Sequence, residues 1–108
     1  AEGEPSGSIR ERVLQARELQ AARFRSVRGV RANAHMGTRE LRAHCKLDTD
    51  SLEMLRIAMT DLGLSARAHD RILKVARTIA DLADSTPIRP EHLQEAIQYR
   101  TLDRNLWV

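Results

Sequence analysis

Gly63-Leu64-Ser65 separates two runs of helical periodicity and leaves room only for a tight corner between them. Before it, Leu52, Leu55, Met59 and Leu62 recur at a three-four-three spacing, which marks one buried stripe on a helix. Gly63 suits the end of that helix, because glycine accepts the left-handed conformation that closes helices. Ser65 suits the start of the next, where its hydroxyl can accept from an otherwise unpaired backbone N–H. Beyond it, Ala68, Ile72, Val75, Ile79 and Leu82 follow a four-three-four-three spacing, and the helix is expected from Ala66 to about Ala83. With so short a link, the two stripes are expected to face each other.

The flanking segments read as helices too. Ser8 can cap a first helix to about Phe24, with Ile9, Val13, Ala16 and Phe24 at helical spacing and Gln20 interrupting the stripe. Residues 26–37, with two glycines and two arginines, read as an irregular connection, long for a compact domain and expected to be partly flexible. A short helix is expected from Thr38 to His44 or Cys45. Asp48 or Asp50 then caps the helix that carries Leu52. The last helix starts at Pro90, whose missing N–H costs little at a first helical position. Arg89 stands where an N-cap favours Ser, Thr or Asp, so an irregular start is expected there. Leu93, Ala96 and Ile97 supply its buried face, and Leu102, Leu106 and Trp107 could fold back as a clasp or dock on a neighbour. The fold class is all-α, a small bundle of about five helices. Residues 1–7 read as a tail or the end of a loop, and 8–108 as one domain: first helix 8–25, linker 26–37, bundle 38–108.

Composition agrees with this reading. With 108 residues and 42% hydrophobic content, the chain can bury a modest core, and one Phe, one Tyr and one Trp make that core aliphatic. No run approaches the roughly 20 apolar residues of a membrane span, and the polar start Ala1-Glu-Gly-Glu shows no secretory signal. The single cysteine, Cys45, suits a reducing cytoplasm. His44-Cys45 is a poor metal pair, since adjacent helical residues point apart and no second ligand pair lies nearby, so no metal site is expected. The net charge of +3 is concentrated: nine arginines stand between Arg10 and Arg42 against three glutamates. Such a stretch could meet a phosphate backbone, or form a solvated helix face and linker.

Catalytic patterns are missing. There is no GxxxxGK[ST] loop, no GxSxG elbow and no HExxH helix, so no catalytic residue is expected. Asp81 and Asp84 read as exposed residues of a polar helix face. Asp70 with Lys74, and Arg77 with Asp81, read as ordinary ion pairs on that face. His69 and His92 read as structural or solvated. Arg67 stands out because it falls in the first turn of its helix, at the positive end of the dipole. A cation there costs about 0.3–1 kcal/mol, unless an anion such as phosphate sits at the same helix end.

Several ordered motifs give the chain a family likeness. Leu62 to Ala83 (LGLSARAHDRILKVARTIADLA), Ile88 to Arg100 (IRPEHLQEAIQYR) and Leu102 to Trp107 (LDRNLW) resemble the C-terminal part of the magnesium-chelatase-like AAA+ ATPases of the ComM/YifB type. Gly3 to Val13 and Asn33 to Leu47 resemble it as well. The likeness implies a small helical lid domain, separated from the core that binds ATP and magnesium, with no cofactor of its own. It places a sensor-2 arginine, which reaches for the γ-phosphate, on Arg67, with Ser65 and Arg71 as possible supporting residues. It implies as partners the AAA+ core of the same chain and neighbouring subunits of a ring, with DNA a candidate through the parent, and no membrane. The parent would be a bacterial cytoplasmic protein acting on DNA in natural transformation or recombination. The alternative is a free-standing basic helical module that binds nucleic acid.

Overall fold

The structure is a computed structural model that describes residues 6–107, with side chains as far as Tyr99. It has five helices: α1 (Ser6–Arg23), α2 (Thr38–His44), α3 (Thr49–Asp61), α4 (Ala66–Leu82) and α5 (Pro90–Trp107). A single 3-10 turn, Asn33–His35, lies in the connection between α1 and α2, and no strand is present among the described residues. The fold is all-α, as the periodicity indicates. Among the described residues no helix is long and apolar enough to cross a membrane. The side chains of Leu102, Leu106 and Trp107 lie outside those described.

The caps follow the sequence closely. Asp48 is the N-cap of α3, its Oδ1 accepting the Ser51 N–H at 2.7 Å. Ser65 is the N-cap of α4, its hydroxyl accepting from Ala68 at 3.2 Å. Gly63 lies at φ +59°, and the Leu64 and Gly63 N–H groups return to the carbonyls of Met59 and Thr60 at 3.0 and 3.4 Å. That pair of bonds is a Schellman closure. At α5 no side chain of Arg89 caps the first turn. His92 Nδ1 accepts the Arg89 backbone N–H at 3.0 Å, the reciprocal half of a capping box, and the His92 and Leu93 N–H groups both bond the Arg89 carbonyl, at 3.0 and 3.2 Å. The chain is already helical at Ser6, so Ser8 lies inside α1 and is not its cap.

The packing differs from the expectation in two respects. α4 is the central element, covered by α1, α2, the 3-10 turn and most extensively α5, whereas α3 packs on α5. The tight Gly63 corner therefore turns α3 away from α4, and the two stripes do not face each other. Because α4 is covered from several sides, its deepest positions are Ile72, Ala76, Ala80 and Asp81, while Val75, Ile79 and Leu82 are only half-buried. Ile72, Ala76, Ala80, Leu93 and Ala96 are each at most 1% exposed. Small residues at the α4–α5 contact let the two backbones approach closely, and dense packing then holds them. On α3 the buried residues are Ser51 and Leu55, and Leu52 is 56% exposed rather than part of the stripe.

The 26–37 segment is irregular but closely packed. Val30 and Met36 are buried in the core, beside Phe24. Gln20, which interrupts the α1 stripe, accepts the Asn33 N–H on its Oε1 at 2.9 Å. A polar residue at that position therefore anchors the connection.

α4 closes like α3, but with an aspartate in the glycine position. Asp84 lies at φ 54°, Asp84 N–H bonds the Asp81 carbonyl at 3.0 Å, and Ser85 N–H bonds that of Ala80 at 2.8 Å. Left-handed backbone costs an L-residue roughly 1–2 kcal/mol, less for aspartate. Asp84→Gly is expected to stabilise the domain by about 0.5–1 kcal/mol, and Asp84→Val to destabilise it by a similar amount, both read from denaturation midpoints.

Candidate functional site

Two polar constellations lie at opposite ends of α4. At its N-terminal end, Arg67 is exposed at the second helical position, one turn before Arg71 on the same face. Both line a groove of about 950 Å³ between α1, α4 and α5. Lys74 and the α1 residue Arg12 add cations to its wall, Asp70 and Glu95 add acids, and Val13, Val75, Ile79 and Leu82 give it an apolar floor. Arg67 has no hydrogen bond or ion pair among the described residues, whereas Arg12 and Arg71 do have partners. Asp70 pairs with His69, Nδ1 to Oδ1 at 3.1 Å, instead of with Lys74, whose ammonium donates to the Ala34 carbonyl at 3.3 Å. The helical i,i+4 pair is replaced because a backbone carbonyl of the connection lies within reach of Lys74. Of the residues singled out in the sequence, Arg67 and Arg71 line the groove and Ser65 does not. Ser65 acts as a cap.

At the other end, Asp81 is 1% exposed, which corrects its reading as a surface residue. Arg23 grips it with both guanidinium nitrogens, Nη1 to Oδ2 at 2.8 Å and Nη2 to Oδ1 at 2.7 Å. Asn33 Nδ2 donates to Oδ2 at 2.8 Å, and Arg77 Nε lies 3.2 Å from Oδ1. The Arg77–Asp81 pair therefore exists, but in the interior. Arg77 also donates to the carbonyls of Ser85 and Thr86 at 2.7 and 2.8 Å, and of His44 at 3.3 Å. Burial pushes its guanidinium below its ordinary value, with Asp81 opposing; an arginine stays charged there. Sequence spacing found the Arg77–Asp81 pair but not its burial, because Arg23 and Asn33 arrive from distant segments.

Two further groups feel this charge. Cys45 is buried, its thiol donating to the Leu73 carbonyl at 3.8 Å, and burial pushes it up to about 11. Such a thiol is poorly nucleophilic at neutral pH. His44 lies edge-on to Phe24, ring centroids 5.6 Å apart. Burial first, then the Arg23 and Arg77 charges, lower its proton affinity below the usual value of 6.5, against Glu40 and Asp81. Among the described residues no three His, Cys, Asp or Glu side chains cluster as metal ligands.

The described residues form a small all-α domain whose central helix starts with an exposed arginine at a groove of mixed charge. The family described as "Magnesium chelatase, subunit ChlI C-terminal" matches residues 3–100, and the chain belongs to it. It is similar to YifB of Escherichia coli K12, 44% identical over 104 residues, covering 96% of this chain and 20% of that protein. Competence protein ComM of Haemophilus influenzae Rd is 43% identical over 104 residues, covering 96% and 19%. A protein of Mycobacterium tuberculosis H37Rv is 36% identical over 100 residues, covering 93% and 20%. The chain spans about a fifth of the length of these relatives.

The lowered His44 value carries a pH dependence with a definite sign. The unfolded chain takes up a proton near 6.5, and the folded one only at lower pH. This contribution is fully present above 6.5 and is lost as pH falls from there towards the folded value. The denaturation midpoint of the wild type is therefore expected to drop more steeply than that of His44→Gln between neutral and mildly acid pH.

Proposed function

We propose that this domain is the helical lid of a larger magnesium-chelatase-like AAA+ ATPase, and that Arg67 is its sensor-2 arginine. The observation that carries the reading is the position of Arg67: exposed, without a partner among the described residues, and in the first turn of α4. The early N–H groups of a helix and its dipole favour an anion at that end. A guanidinium beside them presents a fork of donors that suits a phosphate and the charge developing on it. Ser65 fixes where the helix begins, and Arg71 widens the basic face. ATP and magnesium belong to the core of the parent, and the domain itself performs no chemistry. Its partners are that core and the neighbouring subunits of a ring. The parent works in the cytoplasm, on DNA in natural transformation or recombination, a reading that leans on the name of the competence relative.

A second reading, a nucleic-acid-binding module, has its own support. Eight of the nine arginines between Arg10 and Arg42 are exposed, all but Arg23. It requires the 108-residue chain to bind DNA with an affinity that falls steeply with salt. The lid reading expects weak binding to DNA or none, and a fluorescence-anisotropy titration at two ionic strengths separates the two.

The lid reading is tested by ATP turnover in the full-length protein. Arg67→Ala is expected to lower turnover about a hundredfold, on the scale of one lost electrostatic donor, while ADP affinity and the folded state persist. Unchanged turnover would remove Arg67 from the role.

A further inference from the structure

The first helix has little apolar anchorage. Ala16 is its one buried residue among those described, and Ile9, Leu14 and Leu19 are 44%, 48% and 36% exposed. Arg12 has a partner in its N-terminal half. At its C-terminal end, beside the buried Phe24, the helix is held by the two-pronged Arg23–Asp81 bond, the Arg23 Nη1 to Asn33 Oδ1 bond at 2.9 Å, and the Gln20–Asn33 bond. Yet α1 also forms one wall of the groove holding Arg67, through Ile9, Arg12 and Val13. Asp81 and Arg67 stand at the two ends of α4, about 21 Å apart along the helix axis. A two-pronged bond fixes direction as well as distance, so the clamp sets the angle between α1 and α4.

We propose that the Arg23–Asp81 clamp makes α1 and α4 one rigid body, and that Arg23 is a positioning residue. It passes the movement of the Arg67 end of α4 to α1, and through α1 to the rest of the protein. This rests on the lid reading for the movement it transmits. In some proteins a buried ion pair adds little net stability yet selects one arrangement among several, a property that suits a joint that must not slip. Coupling of this kind runs through a rigid element whose position both ends bias.

The test uses the full-length protein, with nitroxides at Arg17→Cys on α1 and Glu91→Cys on α5 and other reactive thiols removed. Both positions are exposed. Arg23→Gln leaves Asp81 its contacts with Arg77 and Asn33, while Arg23→Lys keeps the charge but loses the fork. Arg23→Gln is expected to broaden the spin–spin distance distribution and to lower kcat for ATP about tenfold or more. ATP affinity is expected to stay within about threefold, and Arg23→Lys to recover part of both losses. If Arg23→Gln does not fold, Arg23→Lys and Gln20→Ala carry the same comparison with smaller expected changes. A distribution as narrow as wild type overturns the clamp. Broadening with unchanged kcat overturns its role in transmission. Arg67→Ala, measured alongside, reports on the lid reading separately: if it alone is silent, the sensor assignment falls while the clamp stands.

Discussion

Asp81 lies in the interior with two guanidiniums and an amide around it, and the positions of α1, the α1–α2 connection and the α4–α5 loop all follow from that. Moving one carboxylate and two guanidiniums out of water costs several kcal/mol per ion, a cost offset only if their hydrogen-bonding capacity is filled. Here it nearly is. Oδ1 and Oδ2 together receive Arg23 twice, Asn33 once and the Arg77 Nε at 3.2 Å, while the terminal nitrogens of Arg77 are taken up by three carbonyls. Arg77 Nε has no hydrogen bond of good geometry, so its link to Asp81 is electrostatic. Removing Asp81 leaves two guanidiniums without their shared counter-charge, a loss of about 3–5 kcal/mol.

The same cluster explains why a chain with so few aromatics can hold a long irregular connection in place. Residues between Arg23 and Thr38 bring only Phe24, Val30 and Met36 as buried apolar anchors. Asn33, 1% exposed, adds a polar one: it donates to Asp81 and Thr78, accepts from Arg23, and offers its backbone N–H to Gln20. The backbone groups that a loop would otherwise leave to water are partly satisfied by side chains of α1 and α4, which is what lets the loop lie against the core.

Local chemistry was legible in the sequence, and nonlocal chemistry was not. Gly63, Ser65, Asp48 and Pro90 each act within one turn of themselves, and each falls where a helix end requires it. Asp81 was misread because its spacing to Arg77 satisfies the rule for a surface ion pair, and nothing within four residues betrays Arg23 and Asn33. The α4 stripe holds at Ala68 and Ile72, with Val75 and Ile79 packed at the edge of the core, but it is incomplete because periodicity favours large residues. A helix covered on several sides buries its small ones deepest, and Ala76 and Ala80 at 0% exposure carry no hydrophobic signal of their own. The facing of α3 and α4 was inferred from the shortness of their link, yet a Schellman corner sets only where the chain turns. Of the candidate site, Ser65, Arg67 and Arg71 were visible together because they share one helix. Arg12 was not, since the groove forms only when α1 is laid beside α4.

The two ends of α4 are both arranged against the helix dipole, and they resolve it differently. A helix ordinarily gains from acids in its first turn and bases in its last; α4 has neither. Its first turn carries the basic Arg67, its last turn the acidic Asp81, and Asp84 follows just beyond its end. At the C-terminal end Arg23 and Arg77 reverse the sign: they neutralise Asp81, and Arg77 donates to carbonyls just beyond the helix. At the N-terminal end Arg67 has no counterpart among the described residues. A positive side chain beside a positive helix end is favourable only when an anion arrives from outside the domain. That asymmetry within one helix is the physical ground for looking to Arg67, rather than to the richer charge cluster at Asp81, for contact with a phosphate.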